Sequence, residues 1–357
     1  MSPKKIVYLI GAGAIQGEME YQGIESNITM NGISNNVYNE SQKIDGEYYR
    51  LLENFGIPKD QDIELMMSLF ENITEFGANV LGPINEELRK LFRSYLISEI
   101  SGKMDTPRLL SSLLYIHSKF NRYMGAEGEE MLGILTINYD SMLEAAFMRV
   151  YGGINCGNDF ISSGFKMDNS LPQLLKLHGS FNWKIQDNKL EISNEFEQEE
   201  YEDDYSGWIP PSVYKKPSET IIFRNVWNKA NELLIDCDVL RVVGSSLRNE
   251  DWPLISLIFS SQILGKVFDI ELIIPQQSAV GDETHPEFGQ GVMQRLTFLG
   301  NIKPLSNIPI IRDFGESVEA MAANVFFHWL NMKINEIDRK TASISEDLFL
   351  SEMLYRG

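Results

Sequence analysis

The stretch Gly133-Ile134-Leu135-Thr136-Ile137-Asn138-Tyr139-Asp140 constrains this chain more than any other. An apolar run of strand length gives way there to Thr136, Asn138, Tyr139 and Asp140, each able to hydrogen-bond. A strand covered on both faces reads as a continuous apolar run, so the change predicts a buried strand that delivers polar groups at its carboxyl end. In open α/β sheets that end faces the crevice where ligands bind.

The same pattern recurs along the chain. Ile6 to Ile10 runs into Gly11-Ala12-Gly13-Ala14, a strand and glycine turn of the kind that lets backbone N–H groups approach a pyrophosphate. The third glycine of the dinucleotide fingerprint would fall at Gln16, with Gly17 one place late, so a plain strand-to-helix turn stands equally open. Leu174 to Ser180 reads as a second strand ending in His178-Gly179-Ser180, where a lone histidine is either structural or catalytic. Cys237 to Val243 ends in Gly244-Ser245-Ser246-Leu247, and Ile270 to Ile274 ends in Pro275. Strands alternating with helices predict an α/β fold with a mostly parallel sheet covered on both faces.

Between these runs, Gly23 to Gln42 is rich in Asn and Ser and reads as an exposed loop able to order over a ligand. Residues from about 45 to 124 read as helices. Ile63, Met66, Met67, Phe70 and Ile73 share one face, Asn85 is an N-cap candidate before Glu86 and Glu87, and Thr106-Pro107 opens another helix. His117 falls on that lobe and reads as structural. Ser141 to Val150 is a helix stopped by Gly152, and Trp227 to Ile235 is another. Phe181 to Ile192 is a hairpin turning at Asp187-Asn188. Glu195 to Tyr205 is an acidic run, a solvated loop or a dock for a basic partner, and Trp208 to Pro217 an extended crossing. Ser317 to Ile337 reads as a long helix in which His328 packs; His285 has no visible partner. Leu348, Phe349, Leu350, Met353 and Leu354 form a later apolar face suited to self-association. The expected organisation is a sheet domain over 1–44 and 125–315, a helical lobe inserted at 45–124, and a C-terminal helix and tail at 316–357.

Composition narrows the function. Lys plus Arg is 31 against 51 for Asp plus Glu, a net charge of −20, which disfavours direct nucleic-acid binding. Cys156 and Cys237 are too few for a disulfide framework or a four-cysteine zinc site, and a reducing cytoplasm is expected. No run has the length of a membrane span, and Met1 to Lys5 leads straight into the first strand, so neither membrane nor secretion is expected and the Asn27 and Asn72 triplets carry no glycosylation reading.

In order along the chain, Gly11-Ala12-Gly13, Thr136-Ile137-Asn138-Tyr139-Asp140, Leu177-His178-Gly179-Ser180 and Gly244-Ser245-Ser246-Leu247 resemble the four motif blocks of the sirtuin (silent information regulator) family. The resemblance runs from Ile6 to about Ile274 with the helical lobe as an insertion. It implies a Rossmann-like sheet that binds NAD⁺. By position, Asn138 would orient the nucleophile and the carboxamide end of NAD⁺, and His178 would be the general base. Asp140 would bond the nicotinamide amide, with Thr136 beside it in the cofactor-binding set. Gly11, Ala12 and Gly13 would admit the pyrophosphate, and Gly244, Ser245 and Ser246 would contact phosphate or the adenine-side ribose.

Three departures matter. The zinc module of deacylating sirtuins cannot form, because Phe181 to Val243 holds only Cys237. The glutamine before the asparagine is Ile137, and the arginine-containing loop is not recognisable in Ile15 to Glu25. The chain is in these respects similar to the zinc-free sirtuin-like NADases of bacterial antiphage defence, whose early helical segment often reads like Asp62-Ile63-Glu64-Leu65. That resemblance implies an NAD⁺ hydrolase releasing nicotinamide and ADP-ribose without a metal. It also implies NAD⁺ depletion in abortive infection, a homo-oligomer, and a partner such as a HerA-type hexameric ATPase. The alternatives are an NAD-dependent protein deacylase or ADP-ribosyltransferase, and a non-catalytic module that senses NAD or ADP-ribose.

Overall fold

The computed structural model describes residues 2–28, 30–75, 81–100, 103–104, 106–123, 128–157, 161–162, 165–187, 189–193, 206–211, 220–248, 251–275, 291–304 and 325–335. Its centre is a six-stranded sheet of β1 (Lys4–Ile10), β2 (Glu129–Thr136), β4 (Gln173–Lys176), β8 (Val239–Val243), β9 (Asp269–Ile273) and β10 (Ile302–Pro304). The spatial order is β10-β9-β8-β1-β2-β4, and every neighbouring pair is parallel. Renumbered within this sheet alone, that is the 3-2-1-4-5-6 order of a doubly wound Rossmann fold. The expected α/β, Rossmann-like sheet is therefore the observed one. Strands β1 and β8 are buried over nearly their whole length, which is why both are uninterrupted apolar runs.

Both faces are covered. Tyr8 of β1 packs edge-on against His117 of α6 (Arg108–Tyr123) and against Trp329 in the helix of residues 325–335. On the opposite face, Val7 is in register with Gly133, and a Cβ at Gly133 would lie 2.9 Å from Leu233 of α8 (Ile221–Asp236). The buried Arg241 of β8 crosses three strands. It donates two bonds to Glu129 at 2.7 and 2.6 Å, one to Glu271 at 2.7 Å and one to Tyr8 Oη at 3.0 Å. Lys333, on the same helix as Trp329, reaches Glu129 at 3.3 Å.

Helix α1 (Ala12–Tyr21) follows β1 directly, and Glu18 on it is fully buried. Its carboxylate accepts from the main-chain N–H groups of Arg108 at 2.6 Å and Leu110 at 2.9 Å, and from Gln22 at 2.7 Å. The N-terminus of α6 is thus capped by a side chain ninety positions away, and Thr106-Pro107 only opens the helix. Helices α2 (Met30–Lys43), α3 (Glu47–Phe55), α4 (Ile63–Glu75) and α5 (Gly82–Ile100) form a group, the lobe, in which α2 packs against the other three; α2 comes from the segment expected with the sheet, and α6, expected in the lobe, is outside this group.

Four expectations are corrected. Gly23 to Ile28 is loop as expected, but Met30 to Gln42 is not, because α2 buries Ile33, Ser34, Val37, Tyr38 and Ser41 on a single stripe. Helix α5 starts at Gly82, with Pro83 in its first turn, so Asn85 lies inside the helix. The run from Leu174 to Ser180 is not one strand: β4 ends at Lys176, Leu177-His178 forms a turn, and Gly179 at φ +71° starts β5 (Gly179–Gln186) in a second sheet. That sheet has the order β3-β6-β5-β7, with β3 (Ile161–Ser162), β6 (Lys189–Ile192) and β7 (Ser206–Trp208); β5 and β6 form the expected hairpin. Helix α8 starts at Ile221, capped by the Thr220 side chain, six residues before Trp227. Helix α7 (Met142–Tyr151) ends at Gly152 in the left-handed region, as the sequence predicts. The acidic run at 195–205, His285, the ends of the 317–337 helix and the apolar tail at 348–354 lie outside the described residues.

Candidate active site at the switch point of the sheet

The chain leaves β1 toward β2 on one side, while β8 lies on the other, so the crevice at the carboxyl ends of β1 and β8 is where the winding reverses. Two glycine turns meet there. Gly11 N donates to Val243 O at 2.9 Å and Gly13 N to Gly244 O at 2.9 Å. A Cβ at Gly11 would stand 2.6 Å from Gly244 O, and one at Gly244, whose φ is +62°, would stand 2.0 Å from Ala14 N. The glycines are thus required by the contact of turn with turn. Ala12 begins α1, whose N-terminus carries partial positive charge at the crevice.

A cleft of about 1080 Å³, including its open mouth, lies over this point. Its walls bring together Ala12 and Gly13, Asn138 and Asp140, His178, and Gly244, Ser245 and Ser246, so all four sequence blocks reach one space. Gly11 and Thr136 are not among the lining residues. Gly11 is the N-cap of α1. Thr136 is fully buried, donating to Ile10 O at 2.9 Å and accepting from Asn138 N at 3.1 Å, so it holds the β2 exit against β1 instead of facing a ligand.

Asn138 is 8% exposed, and its Nδ2 has no hydrogen-bond partner among the described residues. A buried amide donor facing a cleft costs free energy unless a bound group satisfies it. His178 is buried in the turn after β4, its carbonyl accepting from Ile209 N at 2.8 Å while Trp227 Nε1 donates to the Leu177 carbonyl at 2.8 Å. Burial raises the Asp140 carboxyl above its ordinary pKa, and the Lys176 charge opposes that rise. Asp140 Oδ1 accepts from Met142 N at 2.9 Å.

Beneath the cleft, buried Lys176 ties the two polar exits together. Its ammonium donates to the Asp140 carbonyl, to Glu144 Oε1 at 3.0 Å and to Ser180 Oγ at 2.6 Å, and Ser180 Oγ donates in turn to Tyr139 O at 2.7 Å. To one side Tyr139 stacks on Phe181 with centroids 5.1 Å apart, and Trp208 stands edge-on to both. Phe92 of α5 stacks on Trp208 at 6.1 Å. The sequence points to none of Glu64, Phe92, Phe181, Arg248 or Asp251 as site residues, yet all line the cleft. Arg248 had a local signal, since it directly follows the Gly244 to Leu247 block, and Glu64 lies in the Asp62 to Leu65 segment quoted for the resemblance; Phe92 had none.

Cys156 and Cys237 are both buried and unpaired. Burial lifts the Cys156 thiol far above its usual range and pushes Cys237 up to about 12, so both remain protonated at neutral pH. Among the described residues no cluster of His, Cys, Asp and Glu could hold a metal ion, and no helix is long and apolar enough to cross a membrane.

No protein-family model matches the chain, and no curated protein does. Among solved structures, it is similar to a mutant Sir2 homologue in complex with ADP-ribose, at 14% identity over 96% of this chain and 95% of that one, with a TM-score of 0.41. It is also similar to a Sir2 homologue in complex with NAD, at 13% identity over 92% of this chain and 90% of that one, again with a TM-score of 0.41.

Proposed function

We propose that the cleft hydrolyses NAD⁺ to nicotinamide and ADP-ribose. The observation that carries this is the Asn138 amide, buried at the cleft wall with Nδ2 unsatisfied, in the same space as His178 and the two glycine turns. The switch point of a doubly wound sheet is where a dinucleotide is bound, and the α1 N-terminus suits its pyrophosphate. The motif resemblance supplies the roles. Asn138 orients the attacking water and the carboxamide, Asp140 bonds the nicotinamide amide, and His178 accepts the proton. The bond from the ribose C1′ to the nicotinamide nitrogen breaks, and its electron pair neutralises the pyridinium. Water oxygen adds to C1′, and one proton leaves through His178. A positioned general base contributes roughly 10²- to 10⁴-fold to such a step.

Product analysis after incubation with NAD⁺ tests this. Nicotinamide and ADP-ribose should form with the wild type and fall by at least about a hundredfold with Asn138→Ala or His178→Ala, each with an unchanged melting curve. Turnover by the double variant would remove the mechanism. Product only in the presence of an acylated peptide would favour a deacylase instead. In the cell, the resemblance supports a role in which activation during phage infection depletes NAD⁺, within a homo-oligomer and beside a HerA-type ATPase. Intracellular NAD⁺ should then fall on infection in cells carrying the wild type with that ATPase and stay constant with His178→Ala.

A further inference from the structure

Arg248 is the one cation among the described residues that line the cleft. It follows the β8 turn, across the switch point from α1, and that turn is rigidly built. Leu247 sits at φ +46°, and Arg295 donates to the carbonyls of Ser246 at 2.6 Å and Leu247 at 2.9 Å. The Arg248 guanidinium is engaged by the helical lobe: Nη2 lies 3.1 Å from Asp62 Oδ2 and 3.3 Å from Glu64 Oε2. Glu64, Asp140 and Asp251 also line the cleft, so its wall sets three carboxylates against one arginine.

The geometry points to Arg248 as the residue that binds the pyrophosphate of the dinucleotide, with Asp62 and Glu64 holding its guanidinium until phosphate displaces them. This rests on the dinucleotide reading given above. A pyrophosphate brings two negative charges to that wall, and the α1 N-terminus offers only about half a positive charge against them. The guanidinium fork matches phosphate oxygens as it matches a carboxylate, so one ligand replaces the other with little rearrangement. Asp62 is suited to let go. Its side chain is 36% exposed, and it caps α4 through Oδ1, which accepts from Glu64 N at 2.8 Å and Leu65 N at 3.3 Å. Only Oδ2 serves Arg248, so the exchange leaves the helix start intact. Dinucleotide binding therefore unfastens α4 from the β8 turn, and the lobe sets the affinity of a site whose glycines lie elsewhere in the chain.

Calorimetric titration of the full chain with ADP-ribose tests this with wild type, Arg248→Gln, Arg248→Lys, Asp62→Asn and the Asp62→Asn/Arg248→Gln pair. Asparagine caps a helix as well as aspartate does, so Asp62→Asn removes the charge and keeps the cap. Arg248→Gln should weaken binding about tenfold or more, and Arg248→Lys less. Asp62→Asn should tighten it about two- to fivefold, and that gain should vanish in the pair. A wild type that does not bind ADP-ribose overturns the dinucleotide reading, and this inference with it. Wild-type binding that Arg248→Gln leaves unchanged overturns this inference alone, as does an Asp62→Asn gain that persists without Arg248. Should melting curves show Arg248→Gln unfolded, Arg248→Lys and Asp62→Asn carry the test, and absence of any gain in Asp62→Asn overturns it.

Discussion

Burial, more than charge, governs the two titratable side chains with the clearest consequences. His117 is pushed down to about 3 by desolvation, and its Nε2 stands 2.7 Å from Tyr8 Oη. The folded protein holds this imidazole neutral, while the unfolded chain takes up a proton near pH 6.5. Stability is therefore complete above pH 6.5 and is lost as pH falls toward 3, at up to about 1.4 kcal/mol per unit. Urea unfolding of His117→Gln should show a flatter slope across that window than the wild type. Asp140 shifts the opposite way: burial raises its carboxyl, so the ionised form costs folding free energy at neutral pH and the cost disappears as pH falls through the raised value. Asp140→Asn keeps the acceptor for Met142 N and should not lower the melting temperature at pH 7, while cutting NAD⁺ turnover. At this scale the sequence was legible where a residue sat at the end of an apolar run, as Asn138, Asp140 and His178 do. It was silent on the contact between Glu64 and Arg248, because that contact joins chain positions nearly two hundred apart.

Two elements are held by buried charges that local pattern does not reveal. Glu18 takes the place of a local N-cap for α6; burial raises its pKa while bonds from Leu110, Gln22, Arg108 and Leu109 lower it. Glu18→Ala leaves those amides unsatisfied and should cost about 1–3 kcal/mol in denaturant titration, with Glu18→Gln recovering part of it. Lys176 and Glu144, both essentially buried, join β4 to α7. Lys176→Met strands the Glu144 carboxylate and should cost roughly 3–5 kcal/mol, much of which a Lys176→Met/Glu144→Gln pair should restore. Buried parallel strands were the most legible elements, since both faces demand apolar residues. Helix α2 was not, because Ser34 and Ser41 sit on its buried stripe beside Ile33, Val37 and Tyr38, so polar residues interrupt the apolar period, while Asn39, Gln42 and Lys43 are exposed. The His178 turn was missed for a related reason. Leu177 is buried like the strand before it, so the apolar run continues past the point where pairing stops at Lys176.

The whole molecule places four segments, spread over more than two hundred residues, around the ends of adjacent strands. The cleft in that crevice is lined by residues of both the sheet's loops and the lobe, Glu64 and Phe92 among the latter. ADP-ribose at a hundred times its Kd should therefore stabilise the fold by about 2.7 kcal/mol, raising one cooperative transition instead of separating two. Strand alternation made the parallel sheet legible, but not the sheet order, because which neighbour a strand finds depends on crossovers that composition does not encode. That order also governs when the cleft can exist. Strand β1 is synthesised well before the neighbour that completes the switch point, β8, which begins only at Val239. Until then the nascent chain has Asn138 and His178 but no second glycine turn and no Arg248. On the proposed function, chains released before Val239 by a stalled ribosome would carry half a site and consume no NAD⁺.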